Sequence, residues 1–407
     1  MKRFHVTASL VVLVVAAAAI APMLTPRPST SEPTPPIDEL AAEIVTPGNK
    51  PAATAVAGPE EAARIELVFV LDTTGSMSGL IEGAKETIWS VVNDFSSQKP
   101  QPEIRVGLVA YRDRGDIYVT EVLPLTDDLD AVYARLSRLV AGGGGDGPES
   151  VARGLLDGVE QQPWTRDRPR VYRSLFLVGD APDKEYADEP SLEEIVGRAR
   201  QADIYVNAIQ CGSMGAVTAQ FEAIAQGGGG VYTAVAQDGA VERLTSPMDG
   251  ALERLERELS STALSWGSVD EKRATNGKLE LLKGTSLSTK ASRLSVLSKR
   301  GGKMVTAEGK GDLLDDLASG SASLGSISEE ELPDVLAGLD PAARRAEIER
   351  RQRRRATLQD EVDRLVAERD AWLRRERTRR ARGEDARYDR EVVDSSLEKL
   401  RNLGYIE

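Results

Sequence analysis

Cysteine and histidine are almost absent from this chain of 407 residues, which has one Cys, Cys211, and one His, His5. A single Cys excludes an intramolecular disulfide framework and a zinc site built from several cysteines. Because the only His stands in the apolar leader at the start of the sequence, the folded part has no Ser-His-Asp triad and no His metal triad. Site chemistry must therefore come from carboxylates, hydroxyls, amines or the backbone.

Motifs of nucleotide-binding and hydrolytic enzymes are also missing. The sequence has no G-x-x-x-x-G-K-[ST] phosphate loop, and the glycine runs 142–145 and 227–230 are not followed by Lys. It has no G-x-S-x-G nucleophile elbow either. These absences favour binding over catalysis, and we predict that the chain is not an enzyme.

The first 62 residues have the composition of a leader and a spacer. Lys2 and Arg3 precede an apolar stretch from Val6 to Leu24, which is typical of an export signal and approaches the length of a membrane span. We expect residues 1–24 to be a cleaved signal peptide or a retained membrane anchor. The bulk of the chain is then exported to the periplasm or the cell envelope. Residues 25–62, rich in Pro, Thr and Ser, predict an extended linker.

Apolar runs alternate with helical patterns between residues 63 and 260. The runs at 65–71 and 171–178 are nearly continuous, as in buried parallel strands. The pattern predicts an α/β domain, a doubly wound and mostly parallel sheet with helices on both faces. The expected strands are 65–71, 104–111, 117–122, 171–178, 204–209 and 230–235. The expected helices are 80–95, 128–140, 148–161, 190–202, 215–226 and 240–260.

Polar residues gather in three segments that this fold would place at one edge of the sheet. The segments are Asp72–Ser78, Gly142–Ser150 and Val178–Pro182. Ligands of open α/β sheets bind beyond the carboxyl ends of the strands. Carboxylate and hydroxyl oxygens suit Mg²⁺ or Mn²⁺, and glycine allows the backbone to approach an ion closely.

Residues 65–250 resemble a von Willebrand factor type A domain, of the exported bacterial kind with similar YRDRGD, GGGGDGPE and LVGDAP stretches. The Asp-x-Thr-x-Ser motif that begins at Asp72 matches the metal-ion-dependent adhesion site of that family. The resemblance implies a bound Mg²⁺, with Mn²⁺ or Ca²⁺ as alternatives, and another protein bound at or near the ion. The residues that it assigns to the ion are Asp72, Thr74, Ser76, Asp146 and Asp180.

One of these positions departs from the family pattern, because its middle loop usually supplies a Thr where this chain has Asp146. Three carboxylates around one ion reduce the attraction for an acidic partner group, so we expect a preference for water or a neutral group. Purely structural roles are the alternatives. Asp72 would then be a helix N-cap, Asp180 a turn residue, and Asp146 a loop residue with Ser150 as its nearest substitute.

Other interpretations of single motifs are weaker. A phosphotransferase of the haloacid dehalogenase type needs a second Asp two residues after Asp72, where this chain has Thr74. Arg114-Gly115-Asp116 spells an integrin-recognition tripeptide, which we interpret as a tight charged turn between two strands. Cys211 is interpreted as a small buried side chain of the core.

The last third of the chain is less clearly patterned. Residues 261–330 predict short elements at 278–282 and 312–318 in an appendage or linker of undefined role. Residues 331–407 predict an Arg-rich helical region, with a helix from Asp340-Pro341 to about 381 and another at 389–401.

Charge is distributed unevenly along the sequence. Residues 341–390 hold 17 Arg and 11 Asp or Glu, although the whole chain has a net charge of −13. Interleaved acids favour a solvated helix face over a surface for nucleic acid or lipid, and we expect no nucleic-acid partner. A helix–helix contact, within the chain or in a self-associated dimer, is the other interpretation. The alternative function is accordingly a scaffold with a structural ion, whose C-terminal helices bind the partner.

Overall fold

A six-stranded sheet lies at the centre of the protein, which we describe from a computed structural model. In chain order its strands are Arg64–Asp72 (β1), Glu103–Tyr111 (β2), Thr120–Thr126 (β3), Val171–Gly179 (β4), Ile204–Cys211 (β5) and Gly229–Val235 (β6). They lie in the order β3-β2-β1-β4-β5-β6. β3 pairs antiparallel with β2, and the other neighbours pair in parallel.

The structure describes residues 62–145, 147–235, 245–283, 287–299, 306, 311–380 and 388–407. The expected leader, nearly all of the expected linker, and Asp146 lie outside these residues. Among the helices that the structure describes, none combines the length and the apolar composition that a membrane span requires.

Helices cover both faces of the sheet. Helices α1 to α6 are Ile81–Ser96, Leu129–Arg138, Val151–Glu160, Leu192–Gln201, Gly215–Gly227 and Asp249–Ser261. Alternate residues of β1 point to opposite faces, so Phe69 and Leu71 pack with the face that α1 covers. Val68 and Val70 pack with side chains of α3, α4 and α5. The expected α/β fold is confirmed, and Cys211 is buried in the core as interpreted.

The edge strand differs from the expectation. The apolar pattern placed it at 117–122, whereas β3 runs from Thr120 to Thr126. Ile117 is 84% exposed in the preceding loop, so its apolar side chain belongs to the surface and not to a strand. Pro124 lies within β3, which a strand at the edge of a sheet tolerates.

Among the described residues, five further α-helices follow the sheet domain. Helices α7 to α11 are Val269–Lys283, Leu287–Lys299, Leu313–Ser319, Pro341–Arg380 and Tyr388–Asn402. Where the sequence predicted only short elements, α7 and α8 are full helices. Lys290 and Arg293 of α8 are buried and form ion pairs with Glu253 and Asp130. Because charged residues occupy positions on the buried face of α8, the sequence lacks the apolar periodicity that would have predicted this helix.

The long helix α10 begins where the sequence predicted. A carboxylate oxygen of Asp340 accepts hydrogen bonds from Ala342 N and Ala343 N, both at 2.9 Å, which caps the helix. Its apolar residues pack against α6 and α8; they are Leu358, Val362, Leu365 and Val366. The C-terminal helical region that the sequence predicted is therefore present, and it packs within the chain.

The expectation of a solvated arginine face holds for only part of α10. Arg369 is 4% exposed and its Nε donates to Asp249 Oδ1 on α6 at 2.8 Å. Arg355 is 6% exposed and donates to Asp312 Oδ2 at 2.7 Å. These two arginines are buried cations that join the basic helix to acidic residues of the preceding segment. The solvated face that we expected for the arginine-rich stretches 350–355 and 374–382 is therefore wrong at Arg355.

Replacing Arg369 with Ala should lower the free energy of unfolding by about 3–5 kcal/mol, because the buried Asp249 carboxylate loses its cation. Urea denaturation of the purified chain measures this change. Arg364 is the matched control on the same helix, since its ion pair with Glu368 is exposed. Arg364→Ala should cost less than about 1 kcal/mol. Equal losses from the two substitutions would contradict this view of how α10 is attached.

Candidate metal centre

Asp72 is the last residue of β1, and its side chain is fully buried. Its Oδ1 accepts hydrogen bonds from Thr74 N at 2.8 Å and from Thr74 Oγ1 at 2.6 Å. Its Oδ2 is buried and has no hydrogen-bond partner. A buried carboxylate oxygen without a partner is rare and requires an explanation. The N-cap alternative for Asp72 does not explain it, because the short 3₁₀ helix Gly75–Gly79 has Thr74 at its N-cap.

A run of close polar contacts links Asp72 to the end of β4. The Oγ1 of Thr74 lies 3.1 Å from the Oγ of Ser76. Ser76 Oγ in turn donates to Asp180 Oδ1 at 2.8 Å. Asp180 directly follows β4, which is the neighbour of β1 in the sheet. The structure thus brings together the four expected site residues that it describes.

The glycine segment lies against the segment that carries Thr74 and Ser76. Gly142 N donates to Thr73 O at 3.0 Å, and Gly75 N donates to Gly143 O at 3.1 Å. Gly143 has a φ of +76°, and a Cβ on it would lie 2.4 Å from Asp116 Oδ1. Glycine is therefore required where this segment passes the site.

Ser150, the alternative to Asp146, has another role. It is fully buried, and its Oγ donates to Asp113 Oδ1 at 3.0 Å. The residue expected as its counterpart, Asp146, lies outside the described residues. The assignment of Asp146 as a cation ligand therefore stays a prediction from the sequence.

The Arg-Gly-Asp tripeptide supports this edge and is not a free recognition loop. Asp116 Oδ2 accepts a hydrogen bond from Gly144 N at 2.9 Å. Arg114 forms ion pairs with Asp188 and Glu189. The side chains of Arg114 and Asp116 therefore hold neighbouring loops in place, which agrees with the charged turn that we predicted.

Glu149 is a residue of this edge that the sequence analysis did not single out. Its side chain is buried, and a Cβ on Gly144 would lie 2.7 Å from its Oε1 and 3.4 Å from Thr74 Cβ. Its backbone joins the glycine segment to the segment after β4, through bonds with Pro182 O and Lys184 N. The available signal was a second carboxylate, after Pro148, within the GGGGDGPE stretch.

Burial of these acids shifts their titration. Burial is the main cause that raises the pKa of Asp72 to about 7; the nearby charge of Asp180 adds to this, and the hydrogen bonds from Thr74 oppose it. Burial also raises the pKa of Asp180, and it raises that of Asp183 to about 6. Such shifts mean that the ionised carboxylates lack compensating positive charge.

The residues present fit a divalent cation that prefers oxygen ligands. Asp72 Oδ2 offers an unused carboxylate oxygen, Asp180 a second carboxylate, and Thr74 and Ser76 two hydroxyls. In the part of the chain that the structure describes, no three His, Cys, Asp or Glu side chains converge to hold a metal by themselves.

Comparison with known proteins points to one family. Residues 66–242 match the family model described as von Willebrand factor A domain. The alpha-protein kinase vwkA of Dictyostelium discoideum is 31% identical over 120 residues, which are 29% of this chain and 18% of that protein. The chain thus spans less than a fifth of the length of this curated relative.

Two solved structures are among those to which the chain is similar. The VWA domain of SpRpn10 is 15% identical with a TM-score of 0.34, over 44% of this chain and 89% of that one. Proximal thread matrix protein 1 of the mussel byssus, in a structure with a zinc-occupied MIDAS motif, is 18% identical with a TM-score of 0.34, over 44% and 43%. The family match, the doubly wound sheet and the Asp-x-Thr-x-Ser motif at the end of β1 agree, and residues 66–242 of this chain form a von Willebrand factor A domain.

Proposed function

We propose that this domain binds a divalent cation at the ends of β1 and β4 and binds another protein through the face that carries the cation. The residues that would hold the cation are Asp72, Thr74, Ser76 and Asp180, with Asp146 as a further ligand from the sequence motif. The observation that carries the proposal is the buried, unpartnered Oδ2 of Asp72. A cation would give this oxygen a partner and would offset the repulsion between Asp72 and Asp180.

The donor set favours Mg²⁺. Carboxylate and hydroxyl oxygens are hard ligands, and Mg²⁺ usually keeps several waters beside one or two carboxylates. Mn²⁺ accepts the same ligands, and Ca²⁺ is the third candidate. The cation would supply positive charge at the protein surface and an open position for an oxygen of the partner.

Exposed groups at the same edge support a protein partner. Ser76 and the glycines 143–145 are exposed. Ile117 and Val140 are 84% and 68% exposed, in loops that flank this edge. The two loops are joined, since Arg112 at the end of β2 donates to Val140 O and its backbone N donates to Val119 O. Apolar side chains around a cation suit a protein surface better than a small polar ligand.

A catalytic role is not proposed. The second carboxylate that a haloacid dehalogenase needs is replaced by Thr74, whose hydroxyl donates to Asp72 Oδ1. The kinase activity in the name of the Dictyostelium relative belongs to a protein of which this chain spans 18%. The proposed location is outside the cytoplasm, on the grounds of the basic and apolar start of the sequence.

Asp72→Asn should abolish or greatly weaken Mg²⁺ binding. The amide keeps an oxygen that can accept from Thr74 but removes the negative charge from the site. Isothermal titration calorimetry on the purified chain measures the affinity. Asp188→Asn is the control, because this nearby carboxylate is exposed and pairs with Arg114. Equal Mg²⁺ affinity in wild type and Asp72→Asn would reject the proposed cation site.

Capture of a protein partner should depend on the cation. The immobilised full chain should retain a partner from envelope extract in Mg²⁺ and release it in chelator, and Asp72→Ala should not retain it. Capture that is the same with chelator or with Asp72→Ala would instead support the alternative, in which the cation is structural and the C-terminal helices bind the partner.

Mg²⁺ affinity should fall with decreasing pH, by about tenfold for each unit below about 7, because protons compete for Asp72.

The free energy of unfolding in chelator should change with pH in the opposite direction. The native state holds a proton on Asp72 that the unfolded chain has lost, so the free energy of unfolding falls as pH rises from about 4 to 7. Urea denaturation at several pH values measures this slope, which should flatten in Asp72→Asn. An equal slope in both proteins would contradict the assignment.

A further inference from the structure

A second buried polar atom without a partner lies at the same edge of the sheet. Tyr111 is the last residue of β2, its side chain is fully buried, and its hydroxyl has no hydrogen-bond partner. Tyr111 is paired with Asp72 in the register of β1 and β2. Two orphan atoms thus come from paired residues of adjacent strands, although the residues are far apart in sequence.

The two orphan atoms border one space. Gly179 ends β4 on the other side of β1. A Cβ on Gly179 would lie 2.5 Å from the hydroxyl oxygen of Tyr111 and 3.3 Å from Asp72 Oδ2. The absence of a side chain at this position is what leaves room for both atoms. They lie near each other and yet are not hydrogen-bonded to each other.

Packing fixes the position of the Tyr111 ring. A Cβ on Gly154 of α3 would lie 3.0 Å from Cγ and Cδ1 of the ring and 3.0 Å from Val70 Cγ1. The ring therefore packs closely between α3 and the sheet, and these contacts hold it in place. These contacts explain why an aromatic ring occupies this position, and a phenylalanine would make them equally well. They do not explain the hydroxyl.

The surroundings of the hydroxyl make it a donor. Burial and the negative charges of Asp72, Asp180 and Glu149 raise the pKa of Tyr111 well above its usual value, so it keeps its proton. Ionised carboxylates only accept hydrogen bonds, and a cation-bound water has an oxygen that can also accept.

We propose that Tyr111 is a positioning residue of the cation centre, and that its hydroxyl donates a hydrogen bond to an oxygen ligand of the bound cation. The inference rests on the proposed function, because it requires the cation. The hydroxyl and Asp72 Oδ2 border the same space beside Gly179, so an oxygen ligand of a cation bound at Asp72 would give the hydroxyl an acceptor. Partners of this kind orient metal ligands and contribute to metal affinity.

Tyr111→Phe tests the proposal, because it removes one oxygen and keeps the ring. Mg²⁺ affinity, measured by calorimetry on the full chain, should fall by about tenfold or more. The melting temperature in chelator should equal or exceed that of wild type, since an unpaired buried hydroxyl destabilises the fold. Tyr172→Phe is the matched control, because Tyr172 is a buried tyrosine of the same sheet near the opposite end of β4. Its Mg²⁺ affinity should equal that of wild type.

Bound Mn²⁺ gives a spectroscopic measurement of the same centre. Its electron paramagnetic resonance spectrum should change in Tyr111→Phe and stay the same in Tyr172→Phe, since only the first loses a group next to the ligands. Unchanged Mg²⁺ affinity in Tyr111→Phe would overturn the proposal, as would a loss of affinity accompanied by a lower melting temperature in chelator. Absence of Mg²⁺ binding in wild type would instead overturn the proposed function itself.

Discussion

The buried carboxylate of Asp72 is the constraint on which the arrangement of the site depends. Burying an ionisable group is unfavourable unless it is paired or protonated, and β1 carries this one in the middle of the sheet, between β2 and β4. Thr74 satisfies one oxygen with two hydrogen bonds. The other oxygen is left without a partner, close to the orphan hydroxyl of Tyr111. A cation bound there would pair with Asp72 Oδ2, and an oxygen ligand of the cation would accept a hydrogen bond from the Tyr111 hydroxyl.

The loops around Asp72 are fixed by bonds that do not involve the cation. Asp116 holds the glycine segment through Gly144 N, and the backbone of Glu149 joins that segment to the one after β4. A site held in this way is preformed, so a cation would bind without first ordering the loops. Preorganisation of this kind reduces the loss of conformational entropy on binding.

Charge also explains how the C-terminal helices are attached. The net charge of −13 combines an acidic body with the basic helix α10. Arg355 and Arg369 are buried against acidic residues of the preceding segment. Removing one partner of a buried ion pair is costly, whereas an apolar replacement of both can be neutral. These ion pairs therefore mainly determine the position at which α10 packs. Apolar residues such as Val362 form the packed contact itself.

Local patterns predicted the parts of the fold that depend on local sequence. The continuous apolar run of β1 identified the first strand of the sheet, and the Asp-x-Thr-x-Ser motif after it located Asp72, Thr74 and Ser76, three of the residues that the structure brings together. The helix α8 was not found, because Lys290 and Arg293 occupy positions that face the interior. Tyr111 was not identified because its role depends on strand register. Its pairing with Asp72, and the glycine that ends β4, bring together residues that no sequence motif connects.

The central claim, a cation bound at Asp72, is tested most directly by a crystal structure of the protein with Mn²⁺, measured at the manganese absorption edge. We expect an anomalous peak within direct coordination distance of Asp72 Oδ2, with the hydroxyls of Thr74 and Ser76 turned towards it. Crystals grown in saturating Mn²⁺ that show no peak there, or that show Asp72 Oδ2 without a ligand, would contradict it.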